Sequence, residues 1–201
     1  MPVKGIDFSG IKTTGNRGYN PEYIAYINEA LRNGGMGAMQ RAAVLANIIE
    51  ESGGNPFAKD ATGNFYGLLQ WSNGRYAPTK EKDVYREIDN QVKTILDTAG
   101  NSTDRMSWTH GGKGSGYNSL SDAMSAFNDT EDLNKVMRGY TLGYVRPAAG
   151  VAAYNNRQKV ADQIYGLKGF SFDAGGLLSR LKSVYGDTNK IRDIISKVRM
   201  K

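Results

Sequence analysis

The sequence contains no cysteine and a single histidine, His110. A disulfide framework, a thiolate zinc site and a cysteine nucleophile are therefore excluded. A metal site built from several histidines is excluded for the same reason. A Ser–His triad could use only His110, which lies beside the glycine-rich stretch 111–116 and which we interpret as a surface-loop residue.

Long hydrophobic runs are also missing. No stretch reaches the roughly 18 consecutive apolar residues of a membrane-spanning helix, so we expect no transmembrane segment. Residues 1–10 lack the apolar stretch of a secretory signal peptide, and we expect none of that type. Hydrophobic residues nevertheless make up 39% of the 201 positions and aromatic residues 10%, which is enough for a packed core.

The positive charge of the chain is concentrated near its end. The formal net charge is +6, and residues 169–201 contribute +4 of it through seven basic and three acidic residues. Apolar residues in this segment recur at helical spacing with an interruption at Gly186-Asp187, which predicts a basic amphipathic helical tail or linker. A basic excess attracts nucleic acid, acidic lipids or bacterial wall polymers, and by itself does not discriminate among them.

Apolar periodicity predicts a mainly helical chain. We predict helices over 21–33, 37–52, 79–98, 119–128, 130–141 and 150–166, and a loop with a small hairpin over 53–76. The helix 37–52 is apolar around most of its circumference, which is typical of a central, buried helix. Its polar residues Gln40, Asn47 and Glu51 project within about 40° of one another at about 100° per residue, so they form a narrow polar strip.

Two segments carry the residue types that glycoside hydrolysis needs. The first, Glu51-Ser52-Gly53-Gly54-Asn55-Pro56, places a carboxyl group at a helix end and is followed by a second carboxylate, Asp60. The second, Gly67-Leu68-Leu69-Gln70-Trp71, supplies an amide and an aromatic ring. Cleavage of a glycosidic bond uses a proton donor, usually with a second carboxylate, and sugar rings pack on aromatic faces.

These segments resemble the active-site signature Glu-Ser-x-x-Asn-Pro followed by Gly-Leu-x-Gln of the lysozyme superfamily, which includes goose-type lysozymes and lytic transglycosylases. The form Gly-Leu-Leu-Gln-Trp with Arg75 close behind is most similar to phage tail lysozymes. So is Tyr144-Val145-Arg146-Pro147-Ala148 before a last helix that contains Arg157, Ala161 and Tyr165. The resemblance covers about 20–168. It implies a mainly α (α+β) lysozyme-like fold, with a central buried helix that ends at the catalytic Glu and a small β-hairpin.

The resemblance also implies roles for individual residues. Glu51 is then the general acid, and Asp60 matches in spacing the second carboxylate of phage-T4-type lysozymes. Goose-type enzymes and transglycosylases often lack an equivalent of that residue, so the role of Asp60 stays open. Ala153-Tyr154-Asn155 resembles a motif of lytic transglycosylases. The candidate substrate-binding residues are Asn47, Tyr66, Gln70, Trp71 and Tyr154.

We therefore predict a muramidase that cleaves the β-1,4 bond between N-acetylmuramic acid and N-acetylglucosamine in peptidoglycan, with no metal or organic cofactor. The alternatives are a lytic transglycosylase that yields 1,6-anhydro products and a non-catalytic wall-binding module of a virion. We expect an N-terminal arm (1–19), a catalytic domain (20–168) and the tail (169–201). Delivery as part of a virion is expected, with the tail as a contact for other virion or tail proteins; no nucleic-acid partner is expected.

Overall fold

The computed structural model describes residues 6–14, 18–72, 76, 79–99, 117, 120–129, 131–145, 147 and 150–171. Arg75, His110, Arg146 and the predicted tail from residue 172 onwards lie outside these ranges. No helix in the described part of the chain is long and apolar enough to span a membrane.

Helices make up most of the described structure, and a short hairpin is inserted between the second and third of them. The helices are α1 (Pro21–Asn33), α2 (Ala38–Ser52), α3 (Val84–Ala99), α4 (Leu120–Phe127), α5 (Leu133–Arg138), a π-helix (Gly139–Val145) and α6 (Gly150–Tyr165). Strands β1 (Phe65–Tyr66) and β2 (Trp71–Ser72) pair antiparallel, with Tyr66 opposite Trp71. The predicted mainly α, lysozyme-like fold with a small hairpin is confirmed.

Helix α2 is the centre of this fold. Every residue from Arg41 to Ile49 is buried, and the helix packs against α1, α5, α6 and the π-helix. It ends at Gly53, whose φ of 64° is in the left-handed region that favours glycine. A Cβ atom at Gly53 would lie 2.6 Å from the carbonyl oxygen of Gly18, so this end of α2 also requires a small residue. Glu51 is thereby held in the last turn of a buried helix.

Segments on both sides of the predicted catalytic domain contribute to the same core. Phe8 and Ile11 are buried, although we predicted them as part of an N-terminal arm. Phe170 is fully buried and packs edge-to-face on Phe8, with ring centroids 6.2 Å apart. The compact unit that contains the described residues ends at Ser171. The division into 1–19, 20–168 and 169–201 stays a prediction.

Two predicted helices differ from those observed. Helix α3 begins at Val84 rather than at residue 79, because Asp83 accepts hydrogen bonds from the backbone N–H groups of Tyr85 and Arg86 and so caps the helix. The predicted helix 130–141 is instead α5 followed by the π-helix. In the π-helix Thr141 accepts a hydrogen bond from buried Asn47, a tertiary contact that periodicity alone does not reveal.

Candidate active site

Glu51 forms an ion pair with Arg157 of α6. The Arg157 Nη2 atom donates to Glu51 Oε1 at 2.5 Å, and the two side chains are only 7% and 19% exposed, respectively. The pair joins the end of the central helix to the last helix. It engages one carboxylate oxygen of Glu51; the other, Oε2, makes no hydrogen bond to any described residue.

The neighbouring Glu50 has a different role. Its Oε1 atom accepts from the backbone N–H of Thr14 at 3.0 Å, and its Oε2 atom accepts from the Thr14 hydroxyl at 2.7 Å. Both carboxylate oxygens therefore bind the N-terminal segment. This arrangement distinguishes the two adjacent glutamates: Glu50 anchors residues 6–14, and Glu51 faces α6.

The hairpin is bonded directly to the end of α2. The hydroxyl of Ser52 donates to the carbonyl oxygens of Ile48 and Leu68, at 3.1 and 2.9 Å. The side-chain amide of Gln70 donates to the carbonyl oxygens of Ala58 and Gly67, which connects the loop between the strands to the segment that precedes β1. Ser52 therefore fixes Glu51 relative to the strand residues that follow Leu68.

A cavity of about 220 Å³ opens between the hairpin and the π-helix. Two of the predicted substrate-binding residues, Gln70 and Trp71, are among its lining residues. The others are Phe65, Leu69, Ser72, Tyr144 and Val145. Phe65 is 45% exposed, and among the described residues Val151 is the one other large apolar side chain that is similarly exposed. Aromatic and amide groups around one concave site are what a sugar ring with hydroxyl and N-acetyl groups requires.

Asp60 closes the turn that precedes strand β1 and ends at Phe65. Its Oδ1 atom accepts from the backbone N–H of Phe65 at 2.9 Å, and its Oδ2 atom accepts from the hydroxyl and the backbone N–H of Thr62. The Thr62 hydroxyl and the Phe65 amide hold the pKa of Asp60 below its ordinary value. The carboxylate is therefore ionised at neutral pH, and its donors lie within its own turn.

The remaining predicted binding residues lie in three different environments. Asn47 is fully buried, and its Nδ2 atom donates to Ala43 and Thr141. Tyr66 is buried, and burial raises the pKa of its hydroxyl. Tyr154 is half-buried on α6, and its hydroxyl lies 3.4 Å from the carbonyl oxygen of Asn134. Only Gln70 and Trp71 are thus brought together at the cavity, and the predicted roles of the other three stay predictions.

The ion pair between Arg157 and Glu51 was not predicted from the sequence. Arg157 precedes the buried residues Val160, Ala161 and Ile164 by three, four and seven positions, so it lies on the apolar face of α6. A charged residue on an apolar helix face usually has a buried partner. That signal could have identified Arg157 from the sequence, although not Glu51 as its partner.

The described residues contain no group of three or more His, Asp or Glu side chains arranged to hold a metal ion.

A family model described as phage tail lysozyme matches residues 22–167, which is well over half of the chain. The chain belongs to the phage tail lysozyme family. Membership of this family indicates a lysozyme-like, phage-associated enzyme that degrades peptidoglycan of the bacterial cell wall. Neither the comparison with curated proteins nor that with solved structures gave a match.

Proposed function

We propose that the chain is an N-acetylmuramidase that hydrolyses the β-1,4 bond between N-acetylmuramic acid and N-acetylglucosamine, with Glu51 as the proton donor. The observation that carries this proposal is the position of Glu51 at the end of the buried helix α2. From there Ser52 connects it to the hairpin whose Gln70 and Trp71 line the cavity. We place the glycan in that cavity, with Phe65 at its rim.

Arg157 orients Glu51 and favours its ionised form, which is the form that proton donation produces. Because Arg157 engages Oε1, we assign proton transfer to Oε2, which would carry the proton to the leaving glycosidic oxygen. Donation of that proton leaves a carboxylate. The guanidinium stabilises this anion through a charge-assisted hydrogen bond, so Arg157 supports the step without contacting the substrate.

The test compares substitutions of two adjacent residues. Glu51→Gln should reduce hydrolysis of purified peptidoglycan sacculi by about 100-fold or more, in line with general-acid contributions, and should preserve the fold. Glu50→Gln should retain most of the activity, because both carboxylate oxygens of Glu50 accept hydrogen bonds from Thr14 in the N-terminal segment. Release of reducing ends measures both. Loss of activity in Glu50→Gln with activity retained in Glu51→Gln would overturn the assignment.

A lytic transglycosylase is the second candidate, and the geometry of Asp60 favours it. Both oxygens of this carboxylate accept hydrogen bonds inside the turn that precedes β1, so Asp60 has a structural use that needs no catalytic role. A transglycosylase needs only Glu51, which would act first as acid and then as base. Mass spectrometry of the released muropeptides separates the two: reducing N-acetylmuramic acid ends support hydrolysis, and 1,6-anhydro ends support transglycosylation.

The same assay tests two further predictions. A chain that binds sacculi but releases no muropeptides would be a non-catalytic wall-binding module. Asp60→Asn should lower activity strongly if hydrolysis uses two carboxylates, and should leave it near the parental rate if the products are 1,6-anhydro sugars. Association with a virion, and contacts of 169–201 with other virion components, stay predictions.

A further inference from the structure

Glu87 is a fully buried carboxyl group in helix α3. None of the described lysines and arginines forms an ion pair with it. Its Oε1 atom accepts from the Tyr76 hydroxyl at 3.0 Å and from Gln91 Nε2 at 2.7 Å, and its Oε2 atom accepts from the Thr79 hydroxyl at 2.6 Å. A buried carboxyl group is costly unless donors satisfy it. Two of the donors to Glu87, Tyr76 and Gln91, also contact residues in or beside the hairpin.

The first connection runs through the ring of Tyr76. This ring stacks on Tyr66, with centroids 6.2 Å apart and planes 6° from parallel, and contacts Trp71 at 5.2 Å. Burial and the nearby Glu87 carboxylate raise the pKa of Tyr76, so its hydroxyl stays protonated and donates to Glu87. The bond fixes the ring that supports one residue from each strand of the hairpin.

The second connection runs through the side chain of Gln91. Its Nε2 atom donates to Glu87 and to the carbonyl oxygen of Pro56 at 2.7 Å, which leaves its Oε1 atom to accept from the backbone N–H of Leu68 at 2.7 Å. A Cβ atom at Gly67 would lie 2.4 Å from that Oε1, and Gly67 has a φ of 81°. Gln91 therefore packs against the glycine that begins the Gly-Leu-Leu-Gln-Trp segment.

We propose that Glu87 is a positioning residue for glycan binding: through Tyr76 and Gln91 it sets the positions of Trp71 and Gln70 at the cavity. Glu87 does not contact the substrate. It orients the Tyr76 ring that contacts Trp71. It also orients the Gln91 amide, which binds the backbone of Pro56 before the hairpin and of Leu68 between its strands. This inference rests on the proposed function, because it takes the cavity as the glycan site.

The test uses Glu87→Gln, which preserves side-chain size but replaces an acceptor oxygen with an amide donor. The chain has two tryptophans, so the experiment is made in a Trp108→Phe background in which the emission reports on Trp71. The matched control is Asp97→Asn on the same helix, whose side chain is 61% exposed and, among the described residues, forms an ion pair with Lys93 alone. All variants are assayed with soluble, uncrosslinked glycan chains of peptidoglycan, well below their melting temperatures.

Glu87→Gln should raise KM about tenfold and alter the Trp71 emission, with kcat within about threefold of the parent, because it displaces residues that bind the glycan and leaves Glu51 in place. Asp97→Asn should match the parent in all three measurements. Tyr76→Phe keeps the ring and removes only the hydroxyl. It should raise KM severalfold, and it keeps the test decisive if Glu87→Gln does not fold.

A lower melting temperature with parental KM and parental Trp71 emission would overturn the proposal, because it would make Glu87 purely structural. If the parent does not cleave glycan, the proposed function fails, and titration of Trp71 fluorescence with the same chains decides the positioning role. Binding about tenfold weaker in Glu87→Gln than in the parent would support the role, and equal binding would overturn it. A parent that neither cleaves nor binds the glycan would overturn both proposals.

Discussion

Replacing Arg157 with methionine should destabilise the protein, because it removes the cation that pairs with Glu51. Breaking a buried ion pair by removing one partner costs about 3–5 kcal/mol. The side chain of Glu51 is 19% exposed and keeps some contact with water, so we expect the low end of that range, about 3 kcal/mol. At this chain length the loss corresponds to a melting temperature about 6–12 °C lower.

A double-mutant cycle isolates the contribution of the pair itself. The free energy of unfolding is measured by urea denaturation, followed by circular dichroism, for Arg157→Met, Glu51→Gln and the double variant. We expect a coupling free energy of about 2 kcal/mol, within the range for contacting residues. The matched control is the pair Lys93–Asp97, whose side chains are 77% and 61% exposed and whose coupling should be about 0.3–0.5 kcal/mol.

The cycle also carries a functional readout. Arg157→Met should lower glycan cleavage about tenfold or more, because Glu51 loses both its orientation and the charge that stabilises its anion. A coupling energy no larger than that of Lys93–Asp97 would refute the energetic argument. Parental activity in Arg157→Met would refute the positioning role of Arg157 and leave Glu51 as a proton donor that acts without it.

A chain that ends at Lys168 should melt about 10 °C below a chain that ends at Ser171, because deletion of the fully buried Phe170 ring costs about 3–5 kcal/mol. Equal melting temperatures in calorimetry would contradict this prediction. Stability should also fall as the pH drops below about 4. The pKa of Asp60 is lower in the folded chain than its ordinary value of 3.8, so its stabilisation is present above that value and is lost as the pH falls through the folded pKa. Thermal melts at pH 3–5 should show a weaker pH dependence for Asp60→Asn than for the parent.

The elements that could be predicted from the sequence are those whose signals are local. Helix α1 begins at Pro21 after the cap residue Asn20, whose side chain accepts from the N–H groups of Glu22 and Tyr23, and it ends before Gly34. Helix α2 was predicted to be central because it is apolar on nearly all sides. The structure places it at the centre of the fold. These signals act within a few residues, so the sequence displays them directly.

The elements that were predicted incorrectly depend on competition or on distant contacts. The pattern that predicted a helix from residue 79 is interrupted by Asp83, which caps α3 instead of continuing a helix. The π-helix is stabilised by stacking of Tyr140 on Tyr144, with ring centroids 4.8 Å apart, and by the contact of Thr141 with Asn47. The latter joins residues 94 positions apart, which no local pattern encodes.

Within the candidate site, the sequence predicted which residues carry chemistry more readily than which residues hold them in place. Glu51 and Gln70 belong to recognisable motifs. Glu87 does not, and the resemblance includes Arg157 without giving it a role. Both occupy the apolar faces of amphipathic helices, where a charged residue is expensive unless it is paired. Their positions could be found from that mismatch alone. Their partners could not, because Arg157 lies 106 positions from Glu51.

The buried polar residues divide into two groups with different positions in the fold. Arg41 and Asn28 bond to each other, and Arg41 also binds the carbonyl oxygens of Met36 and Phe170 near the start of α2, away from Glu51. The others are Asn47, Glu87, Gln91, Thr141 and Arg157, and they join α2, α3, α6 and the π-helix to one another or to the hairpin.

An apolar core of the same volume would fold with less desolvation cost, so stability alone does not explain the second group. The contacts of this group are directional. Those of Arg157, Gln91 and Glu87 fix a carboxylate oxygen of Glu51, the backbone N–H of Leu68 and the ring of Tyr76, respectively. Hydrogen bonds constrain distance and angle, whereas apolar packing mainly constrains volume. The polar interior beside the hairpin is therefore better explained by the accuracy that glycan cleavage requires than by the stability of the fold.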